Sequence, residues 1–309
     1  RFIFACTAMG ITMTNTCINY QTIMPPVFGE HVAFGDTGVV IYSNSVCGAR
    51  SNFEGGPSAL AAGLTGITPR YGLHLNNNRR PTKRFLIMDQ PKDLTDWGVL
   101  GATIGRMAGS YWEVPLIEGV EKTPSSDQLK HFGAAMASYG SVPLFHIVGV
   151  TPECQKLEDM DFIDLEIKSV DVEATSDLKK PFTAAGEIVD VVVFAAPQLS
   201  IIEMAELAAL CSGRHRSDAT DVIVCTSAQV YGDALSMGYV DKIEAFGGRI
   251  LVGTCFYQQY AREIGEANGW KRLLSNSTKI VNILGGYGYQ PALASMEACI
   301  ASAEKGRIV

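Results

Sequence analysis

Between residues 189 and 255 the chain alternates short apolar runs with helical patterns. VDVVVFAA, DVIVCT and RILVGT are rich in β-branched residues, and SIIEMAELAALCSG, SAQVYGDALSMG and YVDKIEAFGG lie between them. Strands that are apolar along their whole length and separated by helices predict a parallel sheet buried on both faces. Ser200 and Glu203 have the spacing of a capping box at the start of the first helix. The chain up to about residue 185 reads as a Gly-rich α/β unit. GGPSALAAGLTG is expected to be a helix from Pro57 to near Gly66, RFLIMD and YWEVPLIEG to be strands, and WGVLGATIGRMAG and SSDQLKHFGAAMASYG to be helices, the second capped at Ser125 or Ser126. VPLFHIVGV and FIDLEIKSVDV have strand character, SDLKKPF reads as the start of a connection, and YQPALASMEACIASAEKG reads as one amphipathic helix. The expected organisation is a Gly-rich α/β catalytic domain over 1–185, a parallel α/β domain over 186–286 and a C-terminal helix over 287–309 packing back on the core.

Open parallel sheets bind ligands beyond the carboxyl ends of their strands. Here those ends deliver Ala196-Pro197-Gln198, Cys225-Thr226-Ser227 and Gly253-Thr254-Cys255. Ser227, Thr254 and Cys255 are therefore placed at a ligand edge by topology alone. Cys225 closes an apolar run and reads as a core thiol, whereas Cys255 follows a Gly-Thr turn and reads equally as ligand or core.

A second concentration of chemistry lies in Phe28–Leu75. Glu30, His31, Asp36, Asn44, Ser45, Cys47, Arg50, Ser51, Asn52, Glu54 and His74 are set there among glycines and small residues. Such a mixture describes either a pocket for a small anionic molecule or a run of decorated loops. Arg50 is the first choice for gripping a carboxylate, because its guanidinium binds two oxygens at once. Its competing role is an ion pair to Glu54 or Glu30. Ser51, Asn52, His74 and Ser227 are candidate substrate contacts, although a satisfied core position is the commoner fate of a histidine such as His74. Glu30, His31, His146 and Lys279 are the acid–base candidates. His146 lies in an apolar strand run with Thr151 and Glu153 just beyond it.

Composition narrows the function classes. The 309 residues carry 47% hydrophobic and 18% charged side chains with a net charge of −7. A compact chain with a real core is expected, not a disordered one. No basic block is present, which argues against nucleic acid. No run of 18 apolar residues is present, which argues against a membrane-spanning helix. The opening RFIFACTAMGITM is apolar enough to mimic a signal-peptide core, but one positive charge leads it and no clear cleavage site follows. The eight cysteines are scattered without a CxxC pair. Buried thiols in a reducing cytoplasm are expected, with a long-range metal site open as an alternative.

The motifs GEH, NSVxGARxN, EGGPSALAAxLTGxTPxYGLHL, HFGAAMAS and HxxGVTPE resemble the large subunit of aconitase X, a family of iron–sulfur dehydratases in the aconitase superfamily. The likeness runs from about Asn15 to Ala303 and begins downstream of an N-terminal segment that the family's large subunit carries. It implies an aconitase-like, multi-domain, three-layer α/β/α fold with mostly parallel sheets. It also implies an iron–sulfur cluster, of a type left open, held by Cys17 in TNTCINY, Cys255 and Cys299. A small subunit or swivelling domain is expected to close over the cleft and supply a serine. Two departures stand against this. Ala195-Ala196-Pro197-Gln198 replaces a GCPH element, removing a cysteine and a histidine, and IVNILGGYGY follows Asn276-Ser277-Thr278-Lys279 where relatives continue with tyrosine and histidine.

The implied activity is a hydro-lyase acting on a small hydroxy carboxylate, either cis-3-hydroxy-L-proline or mevalonate 5-phosphate. The first is favoured, because the block around Arg50 lacks a second basic residue and Arg79, Arg80 and Lys83 read as a solvated connection. The alternatives are a non-catalytic or cluster-free subunit of a heteromeric complex, and a metal-free thiol enzyme using Cys47 or Cys255. No residue is assigned as the base that removes the proton.

Overall fold

The computed structural model describes residues 2–162 and 164–309. Arg1 of the opening run and Ile163 of the FIDLEIKSVDV run lie outside the described residues.

Among the described residues nine strands form two parallel sheets: β1 (Lys83–Ile87), β2 (Pro115–Glu118), β3 (His146–Ile147), β4 (Ile167–Val170), β5 (Val191–Leu199), β6 (Asp221–Thr226), β7 (Gly248–Val252), β8 (Arg272–Ser275) and β9 (Gln290–Leu293). The first sheet has the order β3-β2-β1-β4 and the second β7-β6-β5-β8-β9. Every strand pair in both is parallel. The central strand β5 is buried at all nine positions. Alternation sends Val192 and Phe194 into the main core, with the helices Ile201–Cys211 and Met296–Lys305, and sends Val191 and Val193 to the opposite face, against Phe256, Trp270, Ile280 and Leu284. Helices thus cover both faces, which gives the three-layer arrangement.

The helix Ser126–Gly140 joins the two halves. It packs on the helices Thr37–Ser45, Leu94–Ala108 and Thr278–Leu284 and reaches β5. Its start is fixed by a full capping box between Ser125 and Gln128, and the Ser200–Glu203 box forms in the same way. The helix Gly56–Thr65 ends at Gly66, whose φ of 71° lies in the left-handed region that a C-terminal cap uses.

Three local expectations are corrected. The tail is a strand and a helix, β9 followed by Met296–Lys305, and not one helix. Pro291 disfavours helix there, and it is tolerated because β9 is an edge strand. SDLKKPF does not start a connection: its first residues complete a helix, Val172–Lys179, capped by Asp171. VPLFHIVGV supplies only the two paired residues of β3, His146 and Ile147.

Candidate functional site

Two groups of side chains stand out, linked by the segment from His31 to Asp36. The first lies at the carboxyl edge of the second sheet, where the chain leaves β5, β6 and β7. Asn15, Thr16, Cys17, Asp36, Gln198, Gly253, Thr254, Cys255 and Gln258 line a cavity of about 260 Å³ there. Gln198 organises it. Its Nε2 donates to the carbonyls of Thr226 (3.3 Å) and Thr254 (3.1 Å), and its Oε1 accepts from the Thr16 hydroxyl (3.0 Å) and the Cys17 amide (3.1 Å). Two donors and two acceptors are all that the amide has. One buried side chain thus ties the Cys17 turn to the ends of β6 and β7. The Gln198 backbone N–H in turn donates to Cys17 Sγ at 3.4 Å.

Both thiols resist ionisation. Burial pushes Cys255 well up, and Cys17 and Cys225 beside it add to the rise. Burial likewise raises Cys17, with Asp36 second. Cys225 is pushed up to about 12 by burial and stays in the core, as its place at the end of an apolar strand predicts. Asp36 caps the helix Thr37–Ser45 through the amides of Gly38 (2.9 Å) and Val39 (3.1 Å). The ammonium of Lys279 lies 3.7 Å from the same carboxylate oxygen and 3.4 Å from the Thr37 hydroxyl. Lys279 opens the helix after β8, so its own charge meets the positive end of that helix and the Asp36 carboxylate compensates it.

Cys299 does not join these thiols. It is fully buried on the helix Met296–Lys305, its sulfur directed to the Ala294 carbonyl at 3.7 Å, and Asp93 is the charged group that bears on it. The same helix periodicity that made its place ambiguous puts it on the core face. Ser227 is also fully buried. Its hydroxyl caps the helix Ala228–Ser236 by accepting from Val230, and it does not line the cavity.

The second group surrounds His31 and His74. Their Nδ1 atoms are 2.8 Å apart and their rings stack with centroids 5.1 Å apart. One ring must donate and the other accept, so at most one Nδ1 proton lies between them. Burial lowers the His74 pKa, and His31 adds to the fall. Together with Ile67, Thr68, Arg70 and Asn78 the pair lines a cavity of about 900 Å³. His74 Nε2, Thr68 Oγ1 and Glu54 Oε1 are buried without a partner.

Arg50 forms a parallel bridge with His31, donates to the His74 carbonyl at 3.3 Å, and pairs at 3.9 Å with Glu153 rather than with Glu54 or Glu30. Glu153 is held more closely by Arg79, through Nε at 3.0 Å and a terminal nitrogen at 2.7 Å. Arg79 is buried and also donates to the carbonyls of Asn44 and Leu73, so it is no part of a solvated connection. Arg80 is exposed on an ion pair to Asp161, and Lys83 opens β1 and donates to the Ala108 carbonyl. Arg50, Arg79, Arg80, His146 and Glu153 border a further cavity of about 480 Å³. His146 is buried, joined through Nε2 to the Arg79 carbonyl at 2.8 Å, and burial lowers its pKa. Ser51 and Asn52 are buried braces. The Ser51 hydroxyl accepts from Phe34 and donates to the Asn52 carbonyl, and Asn52 Oδ1 accepts from the Leu73 amide and the Tyr111 hydroxyl. Glu30 is exposed and accepts from the Val27 amide.

Sequence reasoning missed Gln198, Asp36 and Arg79 as organising groups. Gln198 could have been found as the one amide ending an otherwise apolar strand. As placed, no three His, Cys, Asp or Glu side chains among the described residues converge as a metal-holding group. The donor set at the first cavity is two thiols, Cys17 and Cys255, with the Asp36 carboxylate on the same wall. Two of the three cysteines assigned to the cluster thus stand at this cavity, and the third, Cys299, lies in the core.

Family models described as the first, second and third domains of aconitase X match residues 1–77, 81–180 and 189–305. A phosphomevalonate dehydratase large subunit from Methanothermobacter thermautotrophicus is 37% identical over 302 residues, covering 96% of this chain and 70% of that protein. The corresponding large subunit from Thermococcus kodakarensis is 33% identical, covering 96% and 74%. A cis-3-hydroxy-L-proline dehydratase from Pseudomonas aeruginosa is 32% identical, covering 97% of this chain and 52% of its own length. The crystal structure of aconitase X from Thermococcus kodakaraensis in its holo-form superposes with a TM-score of 0.86 at 30% identity, covering 96% of this chain and 74% of that one.

Proposed function

The chain belongs to the aconitase X family, and we propose that it is the large subunit of a dehydratase that removes water from a phosphorylated hydroxy acid of the mevalonate 5-phosphate type. The observation that carries this is the cavity at the sheet's carboxyl edge, where Cys17 and Cys255 face Asp36 and where the Asp36–Lys279 pair stands. Cys17 and Cys255 would hold an iron–sulfur group there, and such a group, when bound, supplies a Lewis acid toward the departing hydroxyl.

The chain's own residues do the rest. Elimination takes a proton from the carbon next to the carboxylate, and the hydroxyl leaves with a second proton as water. Lys279 is the proton-holding group on the thiol side, its ammonium paired with Asp36, which lines the cavity. Arg50 orients the carboxylate with the donors that its long contact to Glu153 leaves available. His31 and His74, sharing one proton, form the group able to accept one. A phosphorylated substrate is preferred to an imino acid because the relatives matched over the larger share of their own length, 74% and 70% against 52% and 43%, are phosphomevalonate dehydratase large subunits. Arg79 adds no phosphate donor, since Glu153 and the carbonyls of Asn44 and Leu73 take its N–H groups. The named relatives include dehydratases of both kinds.

The test is anaerobic reconstitution with ferrous iron and sulfide, followed by metal and sulfide analysis. The unmodified chain and Cys299→Ser should retain iron, while Cys17→Ser and Cys255→Ser should each lose most of it. Because both thiols are raised by burial and must deprotonate to bind, retention should increase as pH rises from 7 to 9. A chain that takes up no iron at any pH would return the reading to a cluster-free subunit. Water loss from mevalonate 5-phosphate and from cis-3-hydroxy-L-proline, measured with the small subunit present, decides the substrate.

A further inference from the structure

Asp127, Lys130 and His131, near the start of the helix Ser126–Gly140, and Glu203 of the helix Ile201–Cys211 are all buried, and the elimination uses none of them. Apolar residues of similar volume often stabilise a fold as well as such a network, without the cost of desolvating charges. What a buried network adds is geometry, because each of its bonds points at one partner. Here the bonds run to two places, and both border the thiol cavity. At the end of β5 the Lys130 ammonium donates to the Gln198 carbonyl at 3.3 Å. Glu203 accepts from the Ser200 amide at 2.9 Å, and Asp127 accepts from the Ser200 hydroxyl at 2.7 Å. The chain is thus held on both sides of Leu199. The second place is the Cys17 turn. Gln21, which ends the short helical turn Asn19–Gln21, donates through Nε2 to the other Asp127 oxygen at 3.0 Å and to the Ser126 hydroxyl at 2.7 Å. Gln198 closes the figure. Its side chain accepts from the Cys17 amide and donates to the Thr254 carbonyl beside Cys255, and its own N–H donates to Cys17 Sγ.

We propose that Asp127, Lys130 and Glu203 are positioning residues for the Cys17–Cys255 site, a clamp that fixes the Gln198 strand end and the Cys17 turn against one another so that the two thiols stand in place before a metal arrives. The proposal rests on the iron–sulfur reading above. The clamp acts through Gln198 on one side and Gln21 on the other. Ligands held in advance lose less conformational freedom when a metal binds. Groups that orient metal ligands in this way are worth about 10- to 100-fold in metal affinity. His131, bonded to the second Glu203 oxygen at 2.7 Å, keeps that carboxylate turned toward Lys130 and Ser200.

Three variants separate positioning from folding. Lys130→Met combined with Glu203→Leu removes the grip on Gln198 and on the Ser200 amide. Gln21→Ala frees the Cys17 turn at a half-buried position, so it keeps the test open should the double variant not fold. Gln128→Ala is the control. It breaks the capping box of the same helix, where Gln128 accepts from the Ser125 amide at 2.8 Å, and leaves the clamp intact. Amide exchange around Cys17 is measured on the metal-free chain. The chain is then reconstituted with ferrous iron and sulfide, and the rate of iron loss to a chelator is followed. In the double variant and in Gln21→Ala the Cys17 amide should exchange about 10-fold faster or more, and iron should be lost about 10-fold faster or more. Gln128→Ala should match the unmodified chain in both. Iron held as tightly as in the unmodified chain, or unchanged exchange at Cys17, overturns the clamp and leaves the cluster reading standing. Equal losses in Gln128→Ala would reduce the effect to helix stability and overturn the clamp as well. An unmodified chain that retains no iron overturns the cluster reading, and the clamp's role falls with it.

Discussion

Replacing Lys130 with methionine is expected to destabilise the fold by about 3–5 kcal/mol, the range for stranding one partner of a buried ion pair. Lys130 is fully buried on the helix Ser126–Gly140. Its ammonium lies 3.0 Å from Asp127, contacts Glu203, and reaches the Gln198 carbonyl at 3.3 Å. The other Glu203 oxygen bonds His131 Nε2 at 2.7 Å. Burial would raise the Glu203 carboxyl, but Lys130 and His131 outweigh it and hold the group at about 2. The methionine variant leaves that carboxylate buried with only His131 opposite. Lys130→Met combined with Glu203→Leu should recover part of the loss, because the buried Glu203 carboxylate is then gone and Asp127, which also loses Lys130, keeps its hydrogen bonds from Gln21 and Ser200. The sign with pH follows from the depressed value. Glu203 contributes its stability above the ordinary carboxylate range and loses it as pH falls through about 2. Lys130 is raised, so its contribution is full below the ordinary lysine value and is lost only as pH climbs past its raised one. Urea denaturation at a series of pH values from 7 down to 2 checks this. The unmodified protein should lose stability over the acid end of that range, and the double variant should lose less. An unchanged midpoint for Lys130→Met would remove the network from any account of how the two halves are held.

The same network marks the boundary of what the sequence made legible. Local chemistry was readable: the Ser200 box, a cap at Ser125 or Ser126, the apolar runs of β5, β6 and β7, and the Gly66 stop depend on residues a few positions apart. The strand ends needed only topology: of the three residues it singled out there, Thr254 and Cys255 line a cavity and Ser227 does not. Pairings across long separations were hidden. Glu153 meets Arg79 across 74 positions and Glu203 meets Lys130 across 73. Nothing near RRPTKR announces that its first arginine turns inward while its second stays out. Cys17 and Cys299 illustrate the same limit. Cys17 sits in a polar turn and Cys299 on a helix of mixed pattern, and only the packing of their elements puts one on a cavity and the other in the core. β9 was misread because QPAL is too short for alternation to show, and the helical pattern after it is strong.

Gly101→Ala is expected to cost about 1–3 kcal/mol or more, although alanine favours helices over glycine by about 1 kcal/mol. The helices Leu94–Ala108 and Ser126–Gly140 approach each other backbone to backbone. A Cβ at Gly101 would collide with the Phe132 carbonyl, one at Gly105 would come within 2.5 Å of the Met136 carbonyl, and one at Gly140 would meet the backbone of Gly105. Backbone cannot rotate away as a side chain can, so the helices must separate. Gly232 is the matched control. It lies inside the helix Ala228–Ser236 with nothing within 4 Å of a built Cβ, so Gly232→Ala should stabilise by about 0.5–1 kcal/mol. Opposite signs for one chemical change isolate packing from propensity. The consequence reaches the site. Thr95, on the displaced helix, donates to the Asn276 carbonyl at 3.1 Å, and Gly98 packs against Thr278, the neighbour of Lys279. Separation of the helices should therefore draw Lys279 away from Asp36, and dehydration should fall in Gly101→Ala even at temperatures where the variant is fully folded. Urea midpoints for both variants, with water loss assayed well below the unfolding transition, decide the matter. A Gly101→Ala protein as stable and as active as the unmodified one would mean that the helices tolerate separation, and that Lys279 is held by its own helix and not by theirs.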